Sequence, residues 1–160
     1  VFIIGDCDEI VNPKYIKRYR QMCLENPSKA FKIPLVYLQG RANLRTYFKD
    51  NQSVAAPWNN SLFFCSKIHV EKYSLSAIRS GFHQDFTVRF NNGYESGWHF
   101  SWMGSNENRL LKSLSFAHFD INTMEAPCGY GHFIMKEYPY EELPEMLFDL
   151  PRVKEYLLPE

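Results

Sequence analysis

An acidic stretch near the start of the sequence has the residue types and spacing of a metal site. Val1 to Ile4 is apolar and rich in β-branched residues, which predicts a buried strand, and Asp6, Asp8 and Glu9 follow it. The Asp-x-Asp alternation points Asp6 and Asp8 to the same side of an extended chain, where their oxygens suit a hard divalent cation. Such a cation neutralises charge on a departing diphosphate. The alternative is a solvated turn that caps the next helix.

A second segment combines glycine, aromatic and imidazole groups directly after a predicted turn. Gly97 allows a close approach of the chain, and His99 lies between the indoles of Trp98 and Trp102. These groups suit the binding of a pyranose ring. The alternative is a buried pair of tryptophans beside a hydrogen-bonded histidine.

A third candidate is His118, which follows a predicted amphipathic helix. The apolar positions of that helix are Leu110, Leu111, Leu114 and Ala117. A histidine that stands alone is more often structural than a metal ligand, so His118 becomes a candidate only if other ligands lie nearby.

Composition limits the possible classes of protein. The 160 residues predict a single domain over 1–160, and the 18 basic and 18 acidic side chains give no net charge. No basic run is longer than Lys17-Arg18, which argues against a nucleic-acid surface, and the apolar runs are too short to span a membrane. The four cysteines, at positions 7, 23, 65 and 128, lack CxxC or zinc-ligand spacing, which predicts free thiols in a reducing compartment.

The elements that would position these groups alternate between strands and helices. Asn12 as N-cap, Pro13 in the first turn and a stop at Asn26-Pro27 predict a surface helix with an apolar stripe at Ile16, Tyr19 and Cys23. Strands are predicted at 31–39, interrupted by Pro34 and therefore at a sheet edge or bulged, and at 62–65 and 86–90. The stretch 40–60 is predicted as a polar excursion facing substrate, 70–80 as weakly helical and 143–158 as a short closing helix.

Three segments, in this order, resemble one enzyme family. VFIIGDCDEI, ESGWHFSWMGS and LLKSLSFAHFD are similar to the β-1,4-mannosyl-glycoprotein β-1,4-N-acetylglucosaminyltransferases, which form glycosyltransferase family 17. The resemblance covers nearly the whole chain. It implies an α/β fold of the GT-A type with a mixed central sheet. It also implies a UDP-sugar donor, UDP-N-acetylglucosamine above all, a glycan acceptor, a divalent cation (Mn²⁺ or Mg²⁺) and inversion at the anomeric carbon.

The resemblance also implies roles for particular residues. Asp6 and Asp8 match the motif that holds the metal and the diphosphate, and His118 would complete the metal shell. The loop that binds donor or acceptor would contain Gly97, Trp98, His99 and Trp102.

The catalytic base is left open by the sequence. Inverting enzymes of this type generally use a carboxylate, and the candidates are Glu95, Asp120 and His99. Glu95 and His99 rank equally, ahead of Asp120. Glu9 is expected to orient the metal ligands or to cap the following helix.

The chain departs from the family pattern in two places. The animal enzymes have cysteines where this chain has Phe100 and Met103, which favours a microbial, cytoplasmic protein over a Golgi-lumen one. A GT-A sheet has uridine-binding strands before the Asp-x-Asp strand. Because nothing precedes Val1, we expect those strands to be missing from this sequence.

Two other functions remain as alternatives. One is a carbohydrate-binding domain with a degenerate transferase fold, although such a domain has no need of the acids at 6, 8 and 9. The other is a phosphatase of the haloacid dehalogenase type, with Asp6 as nucleophile and Asp8 as general acid. That family expects Thr or Val where this chain has Ile10, and then a downstream Lys and a second acidic pair of a type that does not follow here.

Overall fold

The computed structural model describes residues 1–58, 62–80, 87–89, 96–101, 103–104, 107, 111, 133–151 and 157. The chain forms two compact units, the first from Val1–Val36 with Pro57–His99 and the second from Tyr37–Ala56 with Phe100–Glu160. In chain order the elements are β1 (Phe2–Ile4), β2 (Glu9–Val11), α1 (Pro13–Glu25), β3 (Ala30–Lys32), β4 (Leu35–Gln39), β5 (Leu44–Phe48), β6 (Pro57–Trp58), β7 (Phe63–Cys65), α2 (Lys67–Lys72), α3 (Leu75–Ser80), β8 (Thr87–Arg89), β9 (Gly97–Ser101) and β10 (Phe133–Glu137).

The first unit is built on a four-stranded sheet with the order β1-β7-β3-β8. Strand β7 runs antiparallel to β1 and β3, whereas β8 runs parallel to β3. The sheet is therefore mixed in orientation, and the predicted α/β class with a mixed sheet is confirmed. The finer assignment to a GT-A fold stays a prediction.

Helices cover both faces of this sheet because side chains alternate along each strand. On one face, Phe31 and Phe64 pack against Tyr19 and Cys23 of α1. On the other face, Phe63 packs in a second cluster whose other buried members are Ala30, Cys65 and Ile78 of α3. The inner strand β7, Phe-Phe-Cys, is consequently apolar on both sides, as expected of a strand between two helical layers.

Helix α1 is confirmed at both predicted ends. The Asn12 side-chain oxygen accepts a hydrogen bond from the Lys14 backbone N–H at 3.0 Å, and Pro13 occupies the first turn. At the other end, the Asn26 backbone N–H donates to the Met22 carbonyl at 3.0 Å. These caps satisfy backbone groups that the helix itself cannot pair, which is why the local sequence marked the ends correctly.

Strand β1 exists, but the prediction that it is buried is wrong. Phe2 and Ile3 are 46% and 49% exposed. β1 is the outermost strand in the order of its sheet, with β7 as its neighbour. Of its residues, Ile4 packs against the cluster around Ile78, so an apolar run resembling a central strand lies at an edge.

The region around Pro34 also differs from the prediction. Instead of one interrupted edge strand, the chain forms β3 and β4, with Ile33 and Pro34 between them. β3 lies between β7 and β8 in its sheet, so it is an inner strand. Pro34 has no N–H to continue a ladder, and it therefore separates two strands rather than weakening one.

Three further predictions need correction. The stretch 40–60 contains strands β5 and β6 and not only a polar excursion. The stretch 70–80 is divided at Tyr73 and Ser74 into α2, which begins earlier, and α3. The closing helix predicted at 143–158 is replaced, in its described part, by a 3₁₀ turn at Glu145–Leu147, and Pro151 cannot sit inside a continuous helix.

The second unit contains an antiparallel pair formed by β5 and β10, and Leu38 of β4 pairs with Arg45 of β5. The register places Lys136 directly opposite Arg45. The Tyr47 ring lies between these two cations, with its centroid 5.1 Å from the Lys136 ammonium and 5.7 Å from the Arg45 guanidinium carbon. Attraction between cations and the ring face offsets the repulsion of like charges across the ladder.

Two composition-based predictions are met in the described part of the chain. Cys7, Cys23 and Cys65 are free thiols, and burial raises the pKa of Cys23 and of Cys65 to about 11, so both stay protonated at neutral pH. Cys128 lies outside the described residues. Within the described ranges, no helix is long and apolar enough to cross a membrane.

Candidate active site

The turn between β1 and β2 carries the acids. The Glu9 backbone N–H donates to the Asp6 carbonyl at 3.1 Å, and the Asp6 backbone N–H donates to the Glu9 carboxylate at 2.8 Å. Gly5 precedes this turn, and a Cβ there would lie 2.6 Å from a Leu62 methyl group and 2.7 Å from the Glu9 carboxylate. The turn is thus closed by Glu9 and needs glycine at position 5 for space.

The three acids of the turn have different environments. The Glu9 side chain is fully buried, whereas Asp8 is 25% exposed and Asp6 is half-buried. Glu9 accepts a hydrogen bond from the Asp6 backbone. That Glu9 orients metal ligands stays a prediction. Asp6 and Asp8 are the acids of this turn that solvent or a ligand can reach.

Strand β9 brings a distant part of the chain to the acidic turn. It pairs antiparallel with β2 in a register that places Val11 opposite Gly97, Ile10 opposite Trp98 and Glu9 opposite His99. Residues directly opposite each other in a ladder point to the same face. The register therefore directs His99 and Glu9 to one face and Trp98 to the other.

The imidazole of His99 faces two carboxylates. Its Nδ1 atom lies 3.7 Å from an oxygen of Asp8 and 3.7 Å from an oxygen of Glu9. Both ring nitrogens are buried, and the side chain is 5% exposed. The sequence named these residues separately, and the fold places them together.

The packing of β9 against β2 requires a glycine at position 97. A Cβ at this position would collide with the Ile10 carbonyl oxygen and would lie 3.0 Å from both the Val11 Cα and a Leu35 methyl group. The close approach predicted for this glycine is thus made by the backbone of β2. Contact of Gly97 with a sugar stays a prediction.

Trp98 belongs to a strand and not to a loop. Gly97–Ser101 forms β9, which corrects the expectation of a binding loop at these residues. Trp98 is 7% exposed. Because Trp98 and His99 point to opposite faces, the indole and the imidazole do not share a surface. Stacking of a sugar on Trp98 stays a prediction.

Two residues that the sequence did not single out as functional hold the start of β9. The Tyr19 hydroxyl of α1 is hydrogen-bonded to the Ser96 hydroxyl, and both side chains are buried. The Ser96 backbone donates to the Pro34 carbonyl at 2.8 Å and accepts from the Asn12 N–H at 2.9 Å. Burial raises the pKa of Tyr19, which keeps its hydroxyl protonated. The sequence predicted Tyr19 only as part of an apolar stripe, and no pattern in it predicted the hydrogen bond to Ser96.

The acidic turn supplies carboxylate oxygens, the type of ligand that a hard divalent cation prefers. Among the described ranges, no group of three or more His, Cys, Asp or Glu residues is arranged to hold a metal ion. Asp6 and Asp8 nevertheless offer accessible carboxylate oxygens. Mg²⁺ is often bound by one or two carboxylates together with substrate phosphates and water. Binding of a divalent cation at Asp6 and Asp8 stays a prediction.

Three predicted site residues, Glu95, Trp102 and His118, lie outside the described residues, as does the alternative base Asp120. For the residues that are described, the structure assembles Asp6, Asp8, Glu9 and His99 in the first unit.

Comparison with known proteins gives no family assignment. No protein-family model matches the chain, and no match was found among the curated proteins or the solved structures. The resemblance to glycosyltransferase family 17 therefore stays a prediction that rests on the sequence motifs.

Proposed function

We propose that this protein is a metal-dependent, inverting glycosyltransferase that moves a hexosamine, N-acetylglucosamine above all, from a UDP-sugar to a glycan acceptor. The observation that carries the proposal is the β2–β9 register, which sets Glu9 opposite His99. Two of the three motifs that resemble the family are thereby neighbours in space, although they are far apart in the sequence.

In this proposal the carboxylates of Asp6 and Asp8 hold a divalent cation, Mn²⁺ or Mg²⁺, together with the donor diphosphate. The cation supplies positive charge that stabilises the departing UDP. Glu9 holds the backbone of the turn, as its bond to the Asp6 N–H at 2.8 Å allows. The acids are thereby oriented before the donor binds, which lowers the cost of assembling the site.

The base that deprotonates the acceptor hydroxyl is Glu95 or His99. The burial of both ring nitrogens of His99 favours a role in holding Asp8 over direct contact with an acceptor. We therefore assign the base to Glu95 and a positioning role to His99. The pH dependence of the rate separates the two roles, because substituting the base by Gln removes the limb of the profile that reports its ionisation. Such a loss in His99→Gln, and not in Glu95→Gln, would reverse the assignment.

Hydrolysis of UDP-sugars in the presence of Mn²⁺ tests the function without knowledge of the acceptor. We expect slow release of UDP from UDP-N-acetylglucosamine by the parent protein. Asp8→Asn should reduce the rate at least about 100-fold, because the amide keeps the size of the side chain but loses the charge that attracts a hard cation. Asp50→Asn changes an exposed acid of the second unit and serves as the matched control. Near-normal Mn²⁺-dependent hydrolysis by Asp8→Asn would contradict the proposal.

The alternative of sugar binding without turnover makes a different prediction for the same protein. A metal and nucleotide site stabilises the folded state when it is occupied. We expect Mn²⁺ to raise the melting temperature and UDP to raise it further. A shift caused by an oligosaccharide, with none from Mn²⁺ or UDP, would favour the binding domain.

A further inference from the structure

Helix α1 has an outer face whose charge is not explained by the proposed site. Its inner side packs in the core through Tyr19 and Cys23, with Tyr15 and Met22 partly buried against the same cluster. The outer side carries exposed cations at Lys14, Lys17, Arg18 and Arg20. The sequence contains no acid between Glu9 and Glu25. The protein as a whole has 18 basic and 18 acidic residues and therefore no net charge. Outside these four positions, the remaining 14 basic residues (18 less these 4) are outnumbered by the 18 acidic ones.

The placement of these cations does not help the helix itself. The N-terminal end of a helix carries partial positive charge, and acids in the first turn stabilise it. The first turn of α1 has no acid, and its last turn has no base. Lys14 lies in the first turn and Glu25 ends the helix, so the charges run against the dipole. A contribution to helix stability therefore does not account for the pattern.

An exposed apolar side chain follows the cations, one helical turn after Arg20. Leu24 is 52% exposed. Residues three, four and seven positions apart share one side of a helix, so Lys17, Arg20 and Leu24 form one surface. Ile16 is also exposed, at 37%, and borders the same surface. Cations beside one or two protruding apolar side chains suit an anionic surface into which an apolar group can insert.

We propose that the outer face of α1 docks the protein on anionic lipid headgroups at a membrane surface. Lys17 and Arg20, with Lys14 beside them, contact the headgroups, and Leu24 inserts next to them. Each cation near an anionic bilayer contributes to binding, and a buried leucine side chain adds an apolar contribution. Binding to nucleic acid is less favoured because it draws no benefit from an exposed leucine beside the cations. The inference is independent of the proposed transferase activity.

Cosedimentation with lipid vesicles tests this docking. The 160-residue protein is mixed with vesicles of phosphatidylcholine alone or of phosphatidylcholine with about 30% phosphatidylserine. We expect binding to the anionic vesicles alone, and a loss of binding when salt is raised from about 0.1 M to about 0.5 M, since the interaction is screened. Equal binding to both vesicle types, or to neither, overturns the proposal.

Matched variants locate the contact on α1. Lys17→Gln/Arg20→Gln should weaken partitioning about 25-fold, at about fivefold for each cation removed. Lys67→Gln/Lys72→Gln removes the same charge from exposed positions of α2 and should leave binding nearly unchanged. Leu24→Ser should weaken binding without changing its dependence on salt. Unchanged melting temperatures would show that the α1 variants are folded.

Two outcomes contradict the assignment. An equal loss in the α1 and α2 variants would mean that overall charge, and not this face, determines binding. Tighter binding of the parent protein to a DNA or RNA duplex than to anionic vesicles, lost in the same α1 variant, would assign the face to nucleic acid.

Discussion

Two buried polar side chains, Tyr19 of the first unit and Gln39 of the second, differ in their hydrogen bonding. In the first unit, Tyr19 is hydrogen-bonded to Ser96, and Glu9 accepts from the Asp6 backbone. In the second unit, Gln39 is 1% exposed, and neither its amide nitrogen nor its oxygen has a hydrogen-bond partner in the part of the chain that the structure describes. A buried polar group stabilises a fold only when it is paired. The comparison therefore predicts that removing the polar group has opposite effects at these two positions.

The largest effect is expected where backbone approaches backbone in the first unit. Gly97→Ala should destabilise the protein by about 3 kcal/mol, because the added Cβ meets the Ile10 carbonyl and β9 must move away from β2. Gly5→Ala is the control. Its Cβ would meet flexible ends of the Leu62 and Glu9 side chains, so about 1 kcal/mol is expected. Urea denaturation measures both, and equal losses would argue against the β2–β9 register.

A somewhat smaller effect is expected at the acidic turn. Glu9→Ala should cost about 2 kcal/mol, because it leaves the Asp6 N–H without its acceptor and opens space around a buried side chain. Glu9→Gln keeps an oxygen that can accept this bond, so it should lose less than half as much. Denaturation curves of the two variants decide the point. A loss as large in Glu9→Gln would show that the charge matters more than the bond.

Tyr19→Phe should destabilise the first unit by about 1 kcal/mol, because it leaves the buried Ser96 hydroxyl without its partner. Tyr15→Phe, on the same helix and only partly buried, is the matched control and should cost less. Adding Ser96→Ala to Tyr19→Phe should cost less than the sum of the single changes. Additive losses would mean that the two hydroxyls do not interact in solution.

The smallest effect, and one of opposite sign, is expected in the second unit. Gln39→Leu should be neutral or stabilise the protein by up to about 1 kcal/mol, since it replaces a buried amide that lacks a described partner. Thr46→Val is the contrasting control. The Thr46 hydroxyl donates to the Tyr37 carbonyl at 3.0 Å, so removing this hydroxyl should destabilise the protein by about 1 kcal/mol. A clear destabilisation by Gln39→Leu would remove the difference between Tyr19 and Gln39.

The candidate site could be predicted only in part from the sequence, because it depends on the pairing of β2 with β9, which are far apart in the chain. The sequence named Asp6, Asp8 and His99 from their types and spacing, and it expected Glu9 to orient its neighbours. It treated Gly97–Ser101 as a binding loop, whereas the structure makes it a strand. A run of aromatic and β-forming residues becomes a strand only when a neighbouring strand pairs with it. The strand that pairs with β9 is β2, which lies far away in the sequence.

The sequence alone determined the features that depend on neighbouring residues. Asn12, Pro13 and Asn26 set the ends of α1 because capping involves groups within a few positions of each other. The runs at 1–4 and 62–65 gave strands because their side chains favour extended backbone. Only the tertiary structure decided which strands lie at an edge, that Pro34 separates β3 from β4, and that His99 faces Asp8 and Glu9 while Trp98 faces away. Those outcomes follow from register, in which a shift of one residue turns every side chain to the opposite face.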